Sequence, residues 1–354
     1  MKNIYSIRPK GFNIGNDVIY VGINHFLRLA FKENYNVISL PATGKYESQR
    51  KSGLSSQTVY EINQFGDGVI VGGGNLYENG ELEVNHIAMK ALSRPLMIFS
   101  VSRGKVYNEK LELVDRTDSM DDSKIKLLNN YSSFSLSRDI ATKKYLDNIG
   151  CSNNVLGGCP TLFINEIPQH YVPLIGSDKT DCLISIRTPS LMSIPVIYQY
   201  RLRDQLIQTI ELLRNKGYKN VKFFCHDHRD IPFAASFEGM EYIYTEDVFT
   251  YLSYLRNTRL NLTFRLHSFL PCLSYGVPAI KISYDQRALS MMDTIGLSDW
   301  NIDLLKDDLL KEIEYRIDNI NELDTLKNKV RNSTWANLRE TMLSSIIEFA
   351  KMTN

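Results

Sequence analysis

The sequence predicts an α/β protein made of two doubly wound domains that face each other across a cleft. Three observations support this prediction. Short β-branched and apolar runs alternate with segments of helical periodicity in both halves of the chain, the pattern of parallel sheets covered by helices. The chain of 354 residues is longer than one core usually supports. A proline-spaced stretch at residues 167–173 separates the halves. We therefore expect a first domain over residues 1–168 and a second over residues 174–354.

Composition and charge indicate an ordinary globular protein. Hydrophobic residues make up 43% of the chain and charged residues 23%, and a net charge of +1 provides no overall attraction to nucleic acid or to a membrane. The five cysteines form no CxxC pair, which fits a reducing compartment. The N-terminal residues lack the apolar core of a signal peptide, and no window approaches ~18 consecutive apolar residues. We expect a cytoplasmic protein without a transmembrane segment or a nucleic-acid partner.

The first domain begins with a predicted strand at residues 3–7, a polar turn and a helix over residues 18–31. Asn13, Gly15, Asn16 and Asp17 lie in this turn. Backbone N–H groups and short amide side chains meet there at a helix start, which suits an oxygen-rich ligand. Because Gly and Asn are also common turn formers, a purely structural turn is the alternative.

Three consecutive glycines follow the next informative strand, at residues 69–71. Gly73, Gly74 and the following Asn75 come at the carboxyl end of this strand, where glycine permits a positive φ and close approach of a ligand. A tight turn that needs small residues is the alternative. The chain contains no GxGxxG or GxxxxGK[ST] motif, which argues against dinucleotide and P-loop folds. A further strand at residues 96–101 ends just before Arg103.

The second domain repeats the alternating plan. A strand over residues 181–186 ends on Arg187, and a periodic helix follows at residues 198–215. The strand at residues 221–224 leads into the sequence Cys-His-Asp-His at residues 225–228. Ligands this close together cannot all reach one ion from the end of a strand, so we predict no metal and expect His226 to contact substrate. Residues 304–350 read as closing helices.

The stretch from residue 260 to residue 285 carries the strongest prediction. A buried strand at residues 260–264 is followed by Arg265 and His267, with Ser268 as the expected cap of a helix that ends at Gly276. Anions bind at the carboxyl ends of parallel strands and at the adjoining helix N-termini. The alternative is that Arg265 forms a structural ion pair and that His267 fills the core.

The chain resembles the polysaccharide pyruvyl transferase family. The resemblance rests on motifs that occur in the family's order, namely Asn13–Asn16, Val71–Gly74, Ser135–Asp139, Arg187, Arg265–His267, Gly276–Pro278 and Tyr284–Arg287. It implies two Rossmann-like domains in a glycosyltransferase-B-like arrangement. It also implies transfer of the pyruvyl group of phosphoenolpyruvate onto a sugar as a ketal, without a cofactor. Two departures stand out: Arg287 replaces the family's usual lysine, and Cys159 precedes Pro160 where many members have aspartate.

The resemblance assigns roles to individual residues. Arg187 and Arg265 would bind the carboxylate and phosphate of the donor, His267 would be the general acid, and the helix start at Ser268 would hold phosphate. The acceptor would lie against the first domain, and further substrate contacts are expected from Asn13, Gly15, Asn16, Asp17, Gly73, Gly74, Asn75, Arg103, His226 and Arg287. No residue stands out as the general base, and Asp17 is the provisional candidate.

The expected acceptor is a sugar of a cell-surface polysaccharide or its precursor, either free or lipid-linked. A lipid-linked acceptor would place the protein at the inner membrane surface. Two other functions fit the same architecture. A glycosyltransferase-B-type enzyme with a nucleotide-sugar donor would need an acidic residue at the ribose, for which the second domain offers no clear candidate. A non-catalytic sugar- or phosphate-binding relative would keep the cleft.

Overall fold

The computed structural model describes residues 1–45, 51–168, 173–174 and 179–353. Part of the predicted linker, residues 169–172, lies outside the described residues. The described chain forms two six-stranded sheets, each entirely parallel and each flanked by helices. The predicted α/β class with two doubly wound domains is confirmed.

In the described part of the first half, the sheet has the order β2-β1-β3-β4-β7-β8. Its strands are β1 (Lys2–Arg8), β2 (Tyr35–Pro41), β3 (Gly68–Gly74), β4 (Leu96–Val101), β7 (Phe134–Ser137) and β8 (Asn154–Leu156). A small antiparallel pair is formed by β5 (Val106–Tyr107) and β6 (Leu113–Val114). The helices are α1 (Ile14–Phe31), α2 (Ser56–Phe65), α3 (His86–Ala91), α4 (Asp122–Tyr131) and α5 (Ile140–Asn148), and a 3-10 segment follows at Pro160–Glu166.

In the described part of the second half, the sheet has the order β11-β10-β9-β12-β13-β14. Its strands are β9 (Cys182–Ser185), β10 (Val221–Cys225), β11 (Tyr242–Tyr244), β12 (Leu260–Thr263), β13 (Ala279–Ser283) and β14 (Ile302–Asp303). The helices are α6 (Val196–Asn215), α7 (Ile231–Ala235), α8 (Val248–Asn257), α9 (Leu266–Tyr275), α10 (Gln286–Thr294), α11 (Leu309–Asp318), α12 (Asn321–Val330) and α13 (Ala336–Met352). Helix α6 begins two residues before its predicted start.

The strand order places one topological switch point in each sheet. In the first sheet β1 lies between β2 and β3, and in the second sheet β9 lies between β10 and β12. At such a point successive connections leave to opposite faces, which opens a crevice outside the carboxyl ends of the strands. The sequence thus creates two crevices, one beside β1 and one beside β9.

Both faces of the first sheet are buried. Ile4 and Ile70 belong to the core on one face, whereas Tyr5, Val69 and Val71 belong to a second core on the other. This burial explains why strands of parallel sheets read as nearly continuous apolar runs and can be located in the sequence.

Capping side chains fix where several helices begin and end. Asn13 caps α1 by accepting a hydrogen bond from the Gly15 N–H (3.0 Å), and Asp139 caps α5 by accepting one from the Thr142 N–H (2.9 Å). Helix α9 ends at Gly276, whose φ of 76° lies in the left-handed region that favours glycine. The predicted end of α9 is therefore correct.

The predicted cap of α9 is wrong. The helix begins at Leu266 with Arg265 at the N-cap position, so Ser268 lies inside the first turn. The Ser268 side chain is fully buried against the sheet, where its hydroxyl lies 2.8 Å from that of Ser185 and accepts a hydrogen bond from Asn261 (2.5 Å). Ser268 consequently anchors the helix to the strands instead of capping it.

The last helix returns to the first domain. Helix α13 packs against α1, and the rings of Phe349 and Phe31 lie 6.5 Å apart. A Cβ on Gly68 of β3 would come within 2.7 Å of the Phe349 ring, which shows how closely the helix covers this sheet. No helix in the described ranges combines the length and apolar character needed to cross a membrane.

Hydrogen bonds hold the two domains face to face. The Ile14 N–H at the start of α1 donates to the His226 carbonyl after β10 (2.9 Å). Lys105 and Gln286 exchange two hydrogen bonds of 3.0 and 3.1 Å on the other side of the cleft. These contacts place the two crevices opposite each other across one cleft.

Candidate functional site

A cavity of about 360 Å³ lies where the two switch points meet. The first domain contributes Asn13 and Asn16, which follow β1, together with Gly74 at the end of β3 and Asn75 directly after it. The second domain contributes residues that follow β9, β10, β12 and β13. Every one of these segments comes from the carboxyl end of a strand, where parallel sheets bind their ligands.

The wall of the cavity is strongly basic. Six arginines line it, namely Arg116, Arg138, Arg187, Arg229, Arg265 and Arg287, together with His226 and His267. In the described chain only two carboxylates line the same cavity, those of Glu81 and Asp285. Such an excess of guanidinium groups suits a small molecule with more than one negative charge.

Arg265 and Arg187 lie side by side above two buried aspartates. Arg265 Nε donates to the Ile186 carbonyl (3.0 Å), and its Nη2 is hydrogen-bonded to Asp230. Arg187 Nη1 lies 3.5 Å from Asp227 Oδ2 and 3.7 Å from Asp230 Oδ1, without a hydrogen bond to any described residue. Burial and the charge of Arg265 lower the pKa of Arg187 to about 10. Arg265 thus forms a structural ion pair and also lines the cavity. The Nη1 group of Arg187, by contrast, donates a hydrogen bond to no described residue.

His267 follows Arg265 at the start of α9. Tyr251 donates its hydroxyl hydrogen to the His267 carbonyl (2.8 Å), whereas the ring Nε2 has no partner among the described residues. Burial, and after it the charges of Arg138, Arg265 and Arg287, lower the pKa of His267 well below its usual value. The imidazole is therefore neutral near pH 7.

Arg138 lies directly after β7 and had no role in the sequence prediction. It is 3% exposed, lines the cavity, and its Nε has no hydrogen-bond partner in the described chain. Its nearest carboxylate oxygen, Asp139 Oδ2, is 3.9 Å away. An arginine at the end of a parallel strand was the feature that singled out Arg187 and Arg265, so the same rule identifies Arg138.

Comparison with known families agrees with these observations. The family model described as polysaccharide pyruvyl transferase matches residues 13–286, about three quarters of the chain. The chain belongs to the polysaccharide pyruvyl transferase family. No curated protein sequence matches the chain. The matched segment contains the start of α1 and the ends of β3, β7, β9 and β12, so it includes residues from both walls of the cavity of this pyruvyl transferase family member.

Solved structures with a similar fold have distant sequences. A putative UDP-N-acetylglucosamine 2-epimerase from Listeria monocytogenes superimposes with a TM-score of 0.56 at 11% identity, covering 90% of this chain and 88% of its own. The UDP-GlcNAc 2-epimerase of Methanocaldococcus jannaschii, in complex with UDP-GlcNAc and UDP, gives 0.55 at 14% identity, covering 89% and 92%. These likenesses show the glycosyltransferase-B-type fold, which confirms the predicted arrangement.

The Cys-His-Asp-His sequence spreads its side chains in different directions. Burial raises the pKa of the Cys225 thiol to about 12, and the His226 ring lies 3.1 Å from the Tyr251 hydroxyl. Asp227 accepts a hydrogen bond from Arg229 (2.8 Å). Within the described ranges no group of three or more His, Cys, Asp or Glu side chains could hold a metal ion. Only His226 and Arg229 of this region line the cavity.

Arg287 joins the two domains at the cavity wall. Its Nη1 donates to Glu78 Oε2 of the first domain (2.9 Å), and its Nε donates to Asp285 Oδ2 (3.0 Å). Glu78 is buried, also accepts a hydrogen bond from the Gly104 N–H (2.6 Å), and burial raises its pKa. Arg287 thus connects the second domain to the first at the wall of the cavity.

Two expected contact residues lie outside the cavity. Asp17 forms an ion pair with Arg8 (2.8 Å) and does not line it. Arg103 pairs with Asp115 (2.8 Å), stacks on the Tyr145 ring at 4.0 Å and lines a separate cavity of about 680 Å³. Arg8 holds the Asp17 side chain away from the cavity, and Asp115 and the Tyr145 ring hold Arg103 away from it.

Gly15, Gly73 and Ser268 shape the site without lining it. Gly15 lies against His267, and Gly73, at a φ of 83°, packs so closely on Ile19 that a Cβ would come within 2.4 Å. Ser268 sits beneath the first turn of α9, as described above. The remaining predicted residues, Asn13, Asn16, Gly74, Asn75, Arg187, His226, Arg265, His267 and Arg287, all line the same cavity.

Proposed function

We propose that the protein transfers the pyruvyl group of phosphoenolpyruvate onto a sugar of a cell-surface polysaccharide or its precursor as a ketal, and releases phosphate. One observation carries the proposal. Arg138 Nε, Arg187 Nη1 and His267 Nε2 have no hydrogen-bond partner among the described residues, and all three side chains line one basic cavity. Buried polar groups are normally paired, so unpaired ones at a common cavity indicate a missing ligand.

The donor matches the charges of this cavity. Phosphoenolpyruvate carries a carboxylate and a phosphate, and each can accept paired hydrogen bonds from a guanidinium group. Arg187 and Arg265 would bind one end from the second domain, and Arg138 would reach the other from the first. The ligand's negative charge would offset the repulsion that makes Arg187 and His267 costly to bury.

The reaction needs a proton on carbon before any bond to the sugar forms. The imidazolium of His267 would give its proton to the methylene carbon, which leaves an oxocarbenium at the neighbouring carbon. The first sugar hydroxyl adds there and loses its proton to a base. The second hydroxyl then bonds to the same carbon while the bond to phosphate breaks, and its proton leaves with the phosphate. Since His267 is neutral in the free protein, donor binding would have to come first and raise its pKa.

The acceptor would lie against the first domain. Asn13, Asn16 and Asn75 line this wall together with Gly74, and their amide groups can both donate to and accept from sugar hydroxyls. A neutral, hydroxyl-rich acceptor suits this wall better than the arginine-rich wall opposite. The acceptor would enter after the donor, because the donor occupies the charged part of the cleft.

We further propose that the reaction takes place in the cytoplasm at the inner membrane surface, on a lipid-linked acceptor. Val196, Ile197 and Tyr200 in the first turns of α6 are 52%, 51% and 77% exposed. The loop that leads into this helix lines the cavity through Leu191. The exposed Arg201 follows directly and would attract anionic lipid headgroups. This apolar surface beside the cavity would bring the active site to a lipid-borne sugar.

Two measurements test the proposed function. Phosphoenolpyruvate should raise the thermal unfolding temperature, and phosphate should be released when lipid-linked or soluble glycan precursors are added. Stabilisation by UDP-GlcNAc without stabilisation by phosphoenolpyruvate would favour a nucleotide-sugar enzyme, the alternative that the UDP-bound structural neighbour suggests. Stabilisation by phosphoenolpyruvate without release of phosphate with any acceptor would favour a non-catalytic binding protein.

A further inference from the structure

We propose that Ser290 and Thr294 of the second domain are positioning residues for Arg138 of the first domain. The inference rests on the proposed function, in which Arg138 binds one end of the donor. Arg138 lines the cavity, and Asp139 follows it at the start of α5. Ser290 and Thr294 lie in α10 and do not line this cavity. Their hydroxyl groups act on Arg138 through the start of α5.

The N-terminus of α5 is capped from both domains. The first N–H groups of a helix have no partner within the helix. The aspartate at the N-cap of α5 accepts the third of these groups, and the second domain accepts the other two. The Ile140 N–H donates to Thr294 Oγ1 (3.0 Å), and the Ala141 N–H donates to Ser290 Oγ (2.8 Å). The start of α5 is therefore held in place by α10.

Ser290 also orients the carboxylate beside Arg138. Its hydroxyl donates to Asp139 Oδ1 (3.1 Å), the oxygen that also accepts the Thr142 N–H (2.9 Å). Asp139 Oδ2 lies 3.9 Å from Arg138 Nε, and neither of these two buried atoms forms a hydrogen bond with a described residue. Asp139 thus attracts the guanidinium group of Arg138 while leaving its Nε available to a ligand.

The network is withdrawn from water, because Arg138, Asp139, Ser290 and Thr294 are all buried. Burial raises the pKa of Asp139, and the charge of Arg138 and the hydrogen bonds from Thr142 and Ser290 act against this rise. A buried carboxylate that loses a donor must find another or remain unpaired at a cost. Without the Ser290 hydroxyl, Asp139 therefore turns to Arg138 and draws its guanidinium group away from the ligand.

One side of α10 makes all the contacts with the first domain that matter here. Arg287, Ser290 and Thr294 follow one another at intervals of three and four residues, so they lie along the same side of the helix. Arg287 lines the cavity and donates to Glu78 of the first domain, and the two hydroxyl groups reach α5. The second-domain helix that contributes to the cavity thus also determines where Arg138 stands in it.

The test measures the affinity for phosphoenolpyruvate, obtained from the unfolding temperature at increasing concentrations of this compound. The variants are Thr294→Val, which is nearly isosteric, and the double variant Ser290→Ala with Thr294→Val. We expect the dissociation constant of the double variant to rise ~5-fold or more, the effect of about one hydrogen bond, and that of Thr294→Val to rise in the same direction.

Two further variants are matched to Thr294→Val. Thr294→Ser keeps the hydroxyl group and should bind phosphoenolpyruvate as the wild type does. Thr209→Val is the control, because both threonines are buried and donate to the carbonyl four residues earlier, Thr209 at 2.7 Å and Thr294 at 2.6 Å. Thr209 lies in α6 and makes no part of the contact with α5, so its substitution should leave the affinity unchanged.

Combination with Arg138→Met separates positioning from a purely structural role. Arg138→Met alone should weaken binding ~10-fold or more, because a charged donor is lost. In this background, removal of the two hydroxyl groups should change the dissociation constant by less than about twofold, since their effect passes through Arg138.

A double variant that binds phosphoenolpyruvate within about twofold of the wild type would overturn the role of Ser290 and Thr294 alone. The same holds for a loss of equal size with and without Arg138, or for a Thr209→Val variant as impaired as Thr294→Val. A wild-type protein that phosphoenolpyruvate does not stabilise would overturn the proposed function and this inference with it.

Discussion

Gly15 lies so close to His267 that a Cβ on Gly15 would come within 3.0 Å of both Cβ and Nδ1 of the histidine. The two residues belong to different domains, so the start of α1 forms part of the surface against which the imidazole rests. A Cβ at position 15 would therefore require the side chain of His267 to shift by a few tenths of an ångström.

Gly15→Ala should displace the His267 ring while leaving the fold intact. We expect phosphate release to fall at least ~10-fold, because a small displacement of a catalytic group costs a large factor in rate. Gly22→Ala is the matched control. Gly22 lies in the same helix as Gly15 but away from the cavity, and a Cβ on it would come equally close, 3.0 Å, to Pro160. Equal losses of activity in the two variants would contradict a specific effect on His267.

Arg187 and Arg265 should differ in what they contribute to stability. Arg265→Ala removes the cation that is hydrogen-bonded to Oδ2 of the buried Asp230 and leaves this carboxylate only the Thr188 bonds to Oδ1, so the free energy of unfolding should fall by about 3 kcal/mol. Arg187→Met removes a repelled, buried cation while preserving side-chain volume, and should cost less than about 1 kcal/mol. Both variants should lose stabilisation by phosphoenolpyruvate.

Urea unfolding with and without phosphoenolpyruvate separates these effects, and Arg28→Met, at an exposed position of α1, serves as the control. If Arg187→Met were as unstable as Arg265→Ala, Arg187 would be part of the structural ion network and not a ligand-binding cation.

Stability should fall as the solution is acidified from about pH 7 to about pH 5. Burial, followed by nearby arginine charges, lowers the pKa values of His226 and His267 well below 6.5, so the unfolded chain binds more protons in acid. Protonation of each histidine in the unfolded chain lowers the free energy of unfolding by up to about 1.4 kcal/mol for every pH unit below about pH 6.5. Although burial opposes it, hydrogen bonds from His25 and Arg339 lower the pKa of Glu166 to about 2, so the stability due to this carboxylate is lost only in stronger acid.

The measurement is the free energy of unfolding, obtained with a chemical denaturant at several pH values over this range. His267→Asn should reduce its pH dependence by the contribution of one histidine. Phosphoenolpyruvate should also flatten it, because a bound anion favours the protonated ring. An unchanged pH dependence in His267→Asn would show that the ring does not carry the lowered pKa.

Binding to anionic membranes should depend on the start of α6. Replacing Val196, Ile197 and Tyr200 together by serine should abolish co-flotation with vesicles that contain phosphatidylglycerol, since both apolar insertion and the adjacent charge contribute to binding. Tyr60→Ser with Ile87→Ser is the control, because these side chains are 66% and 69% exposed on the first domain. Equal flotation of both variants would argue against membrane docking through α6.

Strand ends were the part of the site that the sequence could predict. In parallel sheets the apolar runs mark the strands, so the residues that follow them can be placed at one edge without coordinates. Arg187, Arg265 and His267 were found in this way, and Arg138 obeys the same rule. Arg116 and Glu81 were not predictable, because they lie in two separate loops, Glu81 between β3 and α3 and Arg116 between β6 and α4. The path of such loops depends on turns such as the one at Asn79, which precedes Glu81.

Side-chain direction and helix placement were harder to predict than element type. A serine near a helix start is typical of a cap, but Ser268 lies three residues inside because the helix begins directly at the strand end. Asp17 follows polar turn residues, yet Arg8 holds it away from the cavity. Periodicity indicated that α13 has an apolar face without indicating which domain that face covers.

The return of α13 to the first domain bears on how the chain is made. Until Phe349 has been synthesised, the surface around Gly68 and Phe31 lacks its covering helix, although the other elements of the first domain end at residue 168, about 180 residues earlier. A nascent chain therefore carries an open apolar face throughout translation of the second domain. A stop codon shortly before α13 would leave that face open permanently, even though every residue of the cavity would be present.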